Sequence, residues 1–169
     1  MSLLLSGAKT MTFAGTEMQC LEIYTGEAYT IDLQFTDSSG NAANATGWSL
    51  DTSAKFYEVD NVGYDALTPD LVTLGNITLY DPVPTANAYS NLTAALTTPA
   101  SGIGYLFIPP EIADGSGSPN PTPVPPLNQG KATPESILVI VTLGVTRPNA
   151  TSSQDDYQKT PLGFIVRYQ

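Results

Sequence analysis

An all-β sandwich is the fold class that this 169-residue chain predicts, and three observations carry the prediction. Tyr29, Ile31, Leu33 and Phe35 alternate with Thr30, Asp32, Gln34 and Thr36, the period of two that marks a half-buried antiparallel strand. Seven or eight strand-like segments follow one another with no long helical period between them. Only 13% of residues are charged, so the solvent faces must be built from Thr, Ser, Asn and Gln, a composition that suits strands better than helices. A small closed barrel is the alternative architecture.

The elements read as follows. Residues 1–19 are an N-terminal arm or an edge strand, and residues 20–169 are the sandwich domain. Glu22 to Tyr24 is the first clear strand, and residues 29–36 are the second. Asp37-Ser38-Ser39-Gly40-Asn41 carries turn chemistry, with Asp to cap and Gly to supply a positive φ. Ser53 to Val59 is a strand of looser alternation, with Ala54, Phe56 and Glu58 on one face and Lys55, Tyr57 and Val59 on the other; Trp48, the only tryptophan, plugs the core or its rim. Leu71 to Tyr80 is extended, with Gly75-Asn76 closing a hairpin or marking a bulge. Ser90 to Thr97 is the one short helix, capped by Ser90 or Asn91 and stopped by Pro99. Ile103 to Ile108 is a strand closed by Pro109-Pro110. Residues 113–134 are a Pro-rich loop of extended, polyproline-like character, stiff and charge-poor enough to suit contacts between chains. Ser136 to Thr146 is apolar on both faces and therefore central to its sheet. Arg147 to Pro161 is a polar loop, and Leu162 to Tyr168 is the last strand.

Composition excludes several chemistries. There is no histidine, which removes Ser-His-Asp and Cys-His arrangements and any Cys/His zinc site. The single cysteine, Cys20, can form no intrachain disulfide and reads as a small buried hydrophobe. A net charge of -10 disfavours nucleic acid and anionic membrane surfaces alike. No run approaches the ~18 apolar residues of a membrane span, and Met1-Ser2-Leu3-Leu4-Leu5 lacks the charge of a signal peptide. The sequons at Asn44, Asn76, Asn91 and Asn149 read as chance in a chain rich in Thr and Asn. The carboxylates Glu58, Asp60, Asp65 and Asp70, or Asp155 with Asp156, show no spacing that selects a catalytic pair. Glu58-Val59-Asp60-Asn61-Val62-Gly63 faintly matches a calcium loop, against which stand Val62 at a ligand position and Pro69 where a bidentate Glu belongs. Tyr57, Tyr64, Tyr80, Tyr89 and Tyr157 are candidates for a sugar-binding face, or core and rim residues of a β protein. No catalytic, cofactor-binding or metal-binding residue is assigned, and no cofactor.

One stretch resembles a known group. Thr25-Gly26-Glu27, the alternating strand Tyr29 to Phe35, the turn Asp37-Ser38-Ser39-Gly40, the step Thr46-Gly47-Trp48 and the strand Ser53 to Val59 together look like the N-terminal immunoglobulin-like domain of phage baseplate upper proteins and related tail or head-fibre proteins. The resemblance covers about a fifth of the chain, and the Pro-rich insertion departs from it. It implies an immunoglobulin-like antiparallel β-sandwich with long loops. It also implies a non-enzymatic virion protein of tail, baseplate, fibre or capsid, assembled in the host cytoplasm, with other virion proteins as partners and a homo-oligomeric state. The other function class left open is a carbohydrate-binding or adhesin-like sandwich.

Overall fold

The computed structural model describes residues 2–24, 26–64, 66–80, 92–110, 136–149, 151–152 and 154–167. The Pro-rich loop at 113–134 and the proposed helix caps Ser90 and Asn91 lie outside them. The described residues form β1 (Ser2–Leu5), β2 (Lys9–Phe13), β3 (Thr16–Tyr24), β4 (Tyr29–Thr36), β5 (Ser49–Val59), β6 (Val62–Tyr64), β7 (Leu71–Leu74), β8 (Ile77–Tyr80), β9 (Thr93–Thr98), β10 (Ile103–Ile108), β11 (Ser136–Arg147) and β12 (Asp156–Arg167), with one 3₁₀ turn at Pro99–Ser101.

The strands make two packed sheets, so the chain is an all-β sandwich. The smaller has the order β1-β4-β10-β9, and the larger contains the run β3-β12-β11-β5-β8. The smaller sheet is the A-B-E-D sheet and β12-β11-β5-β8 the G-F-C-C′ sheet of an immunoglobulin-type sandwich, with β3 added beside the G strand. The chain crosses between sheets from β4 to β5 and from β10 to β11, as B to C and E to F do. Two junctions depart from an all-antiparallel pattern: β3 runs parallel to β12, and β2 runs parallel to β7. The first arises because the N-terminal segment changes sheets. It pairs with β4 as β1, turns through β2, and returns beside the last strand as β3.

β4 follows its alternation. Leu33 and Phe35 are buried, Tyr29 and Ile31 pack half-buried on the same core, and Thr30 and Asp32 face solvent. Thr36 is the exception: it is 7% exposed, and its hydroxyl donates to the Ser2 carbonyl at 3.3 Å. Phe35 meets Trp48 edge-on with centroids 5.9 Å apart, and the Arg147 guanidinium lies 5.8 Å from the Trp48 ring, so Trp48 closes the core at its rim.

The larger sheet buries both faces over the first half of β11 and the second half of β12. On β11, Ile137, Val139, Val141, Leu143 and Val145 enter the core between the sheets, while Leu138 and Ile140 enter a second core with Met11, Met18, Cys20, Val59, Val72 and Ile165. The second core exists because the sheet closes on itself. β5 and β6 form one bent strand, and β7 and β8 form another. The two keep a single antiparallel register through the bend: Val59 faces Ile77, the Asp60 N–H donates to the Asn76 carbonyl at 3.1 Å, the Gly75 N–H donates to the Asn61 carbonyl at 2.6 Å, and Val62 faces Leu74. This ribbon folds over the outer face of the sheet, and β7 docks beside β2. With those two mergers the eight strands of the larger sheet count as six, and their pairings run β2-β3-β12-β11-β5/β6-β7/β8 and back to β2. The sandwich and barrel alternatives are thus both present, sharing one sheet.

Four sequence expectations change. Gly75-Asn76 closes no turn and adds no unpaired residue; it is the corner of the ribbon, where a Cβ on Gly75 would stand 3.0 Å from Asn61 Cβ and N, a close backbone approach that favours glycine. The expected helix at 90–97 is strand β9 from Thr93 onward. Thr93, Thr97 and Thr98 favour strand, pairing with β10 satisfies the backbone, and one to two helical turns are marginal in isolation. The polar loop after Arg147 is shorter than expected, since β12 begins at Asp156; its polar first half extends the ladder with β11 on the solvent side. Residues within 1–19 form β1, β2 and the start of β3.

Candidate interaction surface

Three connections meet at one end of the sandwich: 37–48 between β4 and β5, 99–102 between β9 and β10, and 148–155 between β11 and β12. In the first, one Asp37 carboxylate oxygen accepts the N–H of Ser39 at 2.8 Å and of Asn41 at 3.0 Å. Gly40 takes a φ of +83° there, a conformation that L side chains resist. The backbone donors, Asn41 first and then Ser39, hold the Asp37 carboxyl below its ordinary pKa. Asn149 closes the third connection in the same way, its side-chain oxygen accepting the N–H of Thr151 at 2.9 Å. The Ala45 N–H welds the first to the second through the Pro99 carbonyl, and the Phe35 N–H of β4 donates to the Gly102 carbonyl, both at 2.8 Å. The first and third connections are thus shaped by their own side chains and the second by backbone bonds.

The outward face of the smaller sheet is poor in charge. Strand register places Leu4, Gln34 and Ile103 in one row, Asp32, Tyr105 and Ala95 in the next, and Thr30, Phe107 and Thr93 in a third. Leu4 is 54% and Ile103 38% exposed. Asp32 is the one charged residue among the four strands of that face. The free edge of β1 is occupied from within: the Gln19 side chain accepts the Leu5 N–H at 2.8 Å and donates to the Leu3 carbonyl at 2.5 Å. Gln19 thereby does for β1 what a neighbouring strand would do, a built-in protection against edge pairing.

A polar cluster sits where the ribbon crosses the barrel. Arg167 donates to one Glu22 carboxylate oxygen through Nε at 3.0 Å and Nη2 at 2.9 Å, and through Nη1 to the Ser136 hydroxyl at 2.9 Å. The Tyr64 hydroxyl donates to the same Glu22 oxygen, and Lys9 Nζ lies 3.8 Å above the Tyr64 ring. Nothing in the sequence pointed to this group, because Glu22 and Arg167 are 145 residues apart and meet only through the parallel β3-β12 pairing.

The residues singled out by sequence do not converge. Glu58 to Gly63 is no calcium loop: Glu58 and Val59 end β5, Asp60 and Asn61 form the corner, and Val62 and Gly63 belong to β6. Asp60 instead accepts from the Asn76 side chain at 3.2 Å. Asp65 lies outside the described residues. The Asp70 carbonyl accepts the Thr10 N–H at 2.8 Å, Asp156 accepts from the Asn149 side chain at 3.2 Å, and Asp155 is exposed. Among the described residues no three His, Cys, Asp or Glu side chains group as a metal site would require. Tyr57 lies in the barrel, edge-on to Phe13 with centroids 4.7 Å apart. Tyr157 is exposed at the far end of the sheet and donates to Asp51 at 3.2 Å, while Tyr64 contacts Arg167, ten residues and roughly 33 Å further along β12. Tyr89 and the side chain of Tyr80 lie outside the described residues, so the tyrosines that are described form no common sugar platform. Cys20 is buried in the barrel, and desolvation, with the Glu22 charge nearby, pushes its thiol up to about 12.

Searches of protein-family models and of the curated proteins find no match to this chain.

Proposed function

We propose that the chain is a non-enzymatic structural module of a phage particle, acting in assembly or attachment through its outward sheet face and its loop end, with other virion proteins as partners. The observation that supports this best is where the virion-like sequence pattern falls. Its alternating strand is β4, its D-x-x-G turn is the side-chain-closed Asp37 turn, and its T-G-aromatic step delivers Trp48 against Phe35 at the entry to β5. From Tyr29 onward the pattern therefore corresponds to one contiguous structural unit, the B strand, the B–C connection and the C strand to its end at Val59; Thr25, in its opening Thr25-Gly26-Glu27, lies outside the described residues. A sheet face bearing Leu4, Ile103, Tyr105 and Phe107 with Asp32 as its charge lowers the desolvation cost of docking. Fold alone does not specify function, so the test must be of incorporation. Peptides of this chain should appear in gradient-purified particles of the producing phage. The double substitution Leu4→Lys, Ile103→Lys should abolish incorporation while shifting the melting temperature by only a few degrees. Normal incorporation of that variant, or absence of the chain from particles, would refute the reading.

A further inference from the structure

We propose that β6 and β7 are a strap: they release from β2 as a unit, about the corner at residues 60–61 and 75–76, while the sandwich remains folded. The seam that closes the barrel is its shortest. β7 meets β2 at two residue pairs, Thr10 with Leu71 and Met11 with Val72, plus the Thr10 N–H to Asp70 carbonyl bond at 2.8 Å. By contrast the β3-β12 seam runs from Leu162 to Arg167, and the β11-β12 seam from Ile137 to Arg147.

The strap also contributes little to the interior. Of its apolar residues only Val72 is fully buried, at 3% exposure, while Val62 and Leu74 are half-buried. What fastens its end is polar and wet: Tyr64, 40% exposed, on Glu22 and under Lys9, with the Glu22 and Arg167 side chains 31% and 28% exposed. Exposed ion pairs of this kind are weakened by water and salt. The corner supplies the hinge, since Gly75 has no side chain to obstruct the backbone of Asn61. Regions with few buried apolar contacts and short hydrogen-bonded seams open before the global transition. Opening frees one edge of β2 and uncovers Met11, Met18 and Ile165, so the strap gives the module a concealed strand edge in addition to its static faces.

Hydrogen exchange followed by mass spectrometry on the full chain tests this. Peptides covering 62–64 and 71–74 should exchange at least about tenfold faster than peptides within 137–145, after correction for intrinsic rates. Tyr64→Ala should accelerate the strap peptides a further several-fold and leave β4, β10 and β11 unchanged; Lys9→Gln, a milder change, should act in the same direction. Exchange of the strap at the rate of β11 would overturn the proposal, because the barrel would then open only with the whole fold. Equal acceleration of strap and sandwich peptides by Tyr64→Ala would overturn it too, as would no acceleration in either variant.

Discussion

Leu138 and Leu143 lie on the same strand, are both fully buried, and face opposite cores. Replacing each by alanine is therefore a controlled comparison of the barrel with the sandwich. Leu→Ala removes three carbons, worth about 0.8 kcal/mol each in transfer free energy, and adds a cavity term; comparable buried sites lose about 2.7–5.0 kcal/mol. Leu143→Ala should fall in this range on any reading that has a sandwich. Leu138→Ala discriminates. If the outer face of the larger sheet were a solvent face, its loss would stay within about 0.5 kcal/mol. With the barrel closed over it, the loss should be about 2.5–4 kcal/mol, slightly below Leu143 if the strap relaxes into the cavity. For a domain of this size each kcal/mol shifts the melting temperature by about 2–4 °C, so Leu138→Ala should melt roughly 5–16 °C lower and Leu143→Ala roughly 5–20 °C lower. Urea unfolding monitored by Trp48 fluorescence and far-ultraviolet circular dichroism gives both numbers. A cost under 1 kcal/mol for Leu138→Ala beside a cost above 2.5 kcal/mol for Leu143→Ala would refute the second core.

Three further outcomes follow from local geometry. A Cβ at position 163 would stand 2.5 Å from Met11 Cε and 3.0 Å from its sulfur, so Gly163→Ala should cost about 1–3 kcal/mol by overpacking, and a double-mutant cycle with Met11→Val should show a coupling that recovers part of the loss. Cys20 should resist thiol reagents at pH 8 in the folded protein and react on unfolding. Because its folded pKa is raised to about 12, the thiol's contribution is intact below the unfolded value and fades as pH rises from about 9 towards 12, by up to about 1.4 kcal/mol per pH unit; Cys20→Ala should remove that part of the alkaline decline in urea titrations. Asp37→Ala should lower the melting temperature at neutral pH. Since the Asp37 pKa is depressed, the carboxylate's contribution is present above its unfolded pKa and lost as pH falls through the folded one, so variant and wild type should converge in acid.

The parts of the fold that were legible in the sequence are those governed by local periodicity. β4 carries clean alternation and ends in a turn, so its extent and faces could be read directly, while β10 is an apolar run whose extent was set by Pro109-Pro110 and whose faces only its pairing with β4 and β9 decides. The double-sided apolarity of β11 correctly signalled a strand buried on both faces, but not why. The reason is a ribbon that bends at Asp60-Asn61 and Gly75-Asn76 while keeping its register, and a corner of this kind leaves no periodic trace. β9 was misread because Leu92, Ala95 and Leu96 also fit one face of a short helix, and only pairing with β10 decides between the two. The Glu22, Arg167, Tyr64 and Lys9 cluster was illegible for another reason: its members come from β3, β12, β6 and β2, and each alone is an ordinary surface residue. The side chains that were singled out, the acidic run around Asp60 and the scattered tyrosines, shared composition but not location.

One sheet serves two cores because a bent ribbon closes it against β2. The most direct measurement is a nuclear Overhauser spectrum of isotope-labelled protein across that seam. The closed barrel should give parallel backbone contacts of Thr10 with Leu71 and of Met11 with Val72, together with antiparallel contacts of Val62 with Leu74 and Val59 with Ile77. Contacts within the ribbon but none between β7 and β2, with the Met11 and Ile165 methyl groups accessible to a soluble relaxation agent, would contradict it.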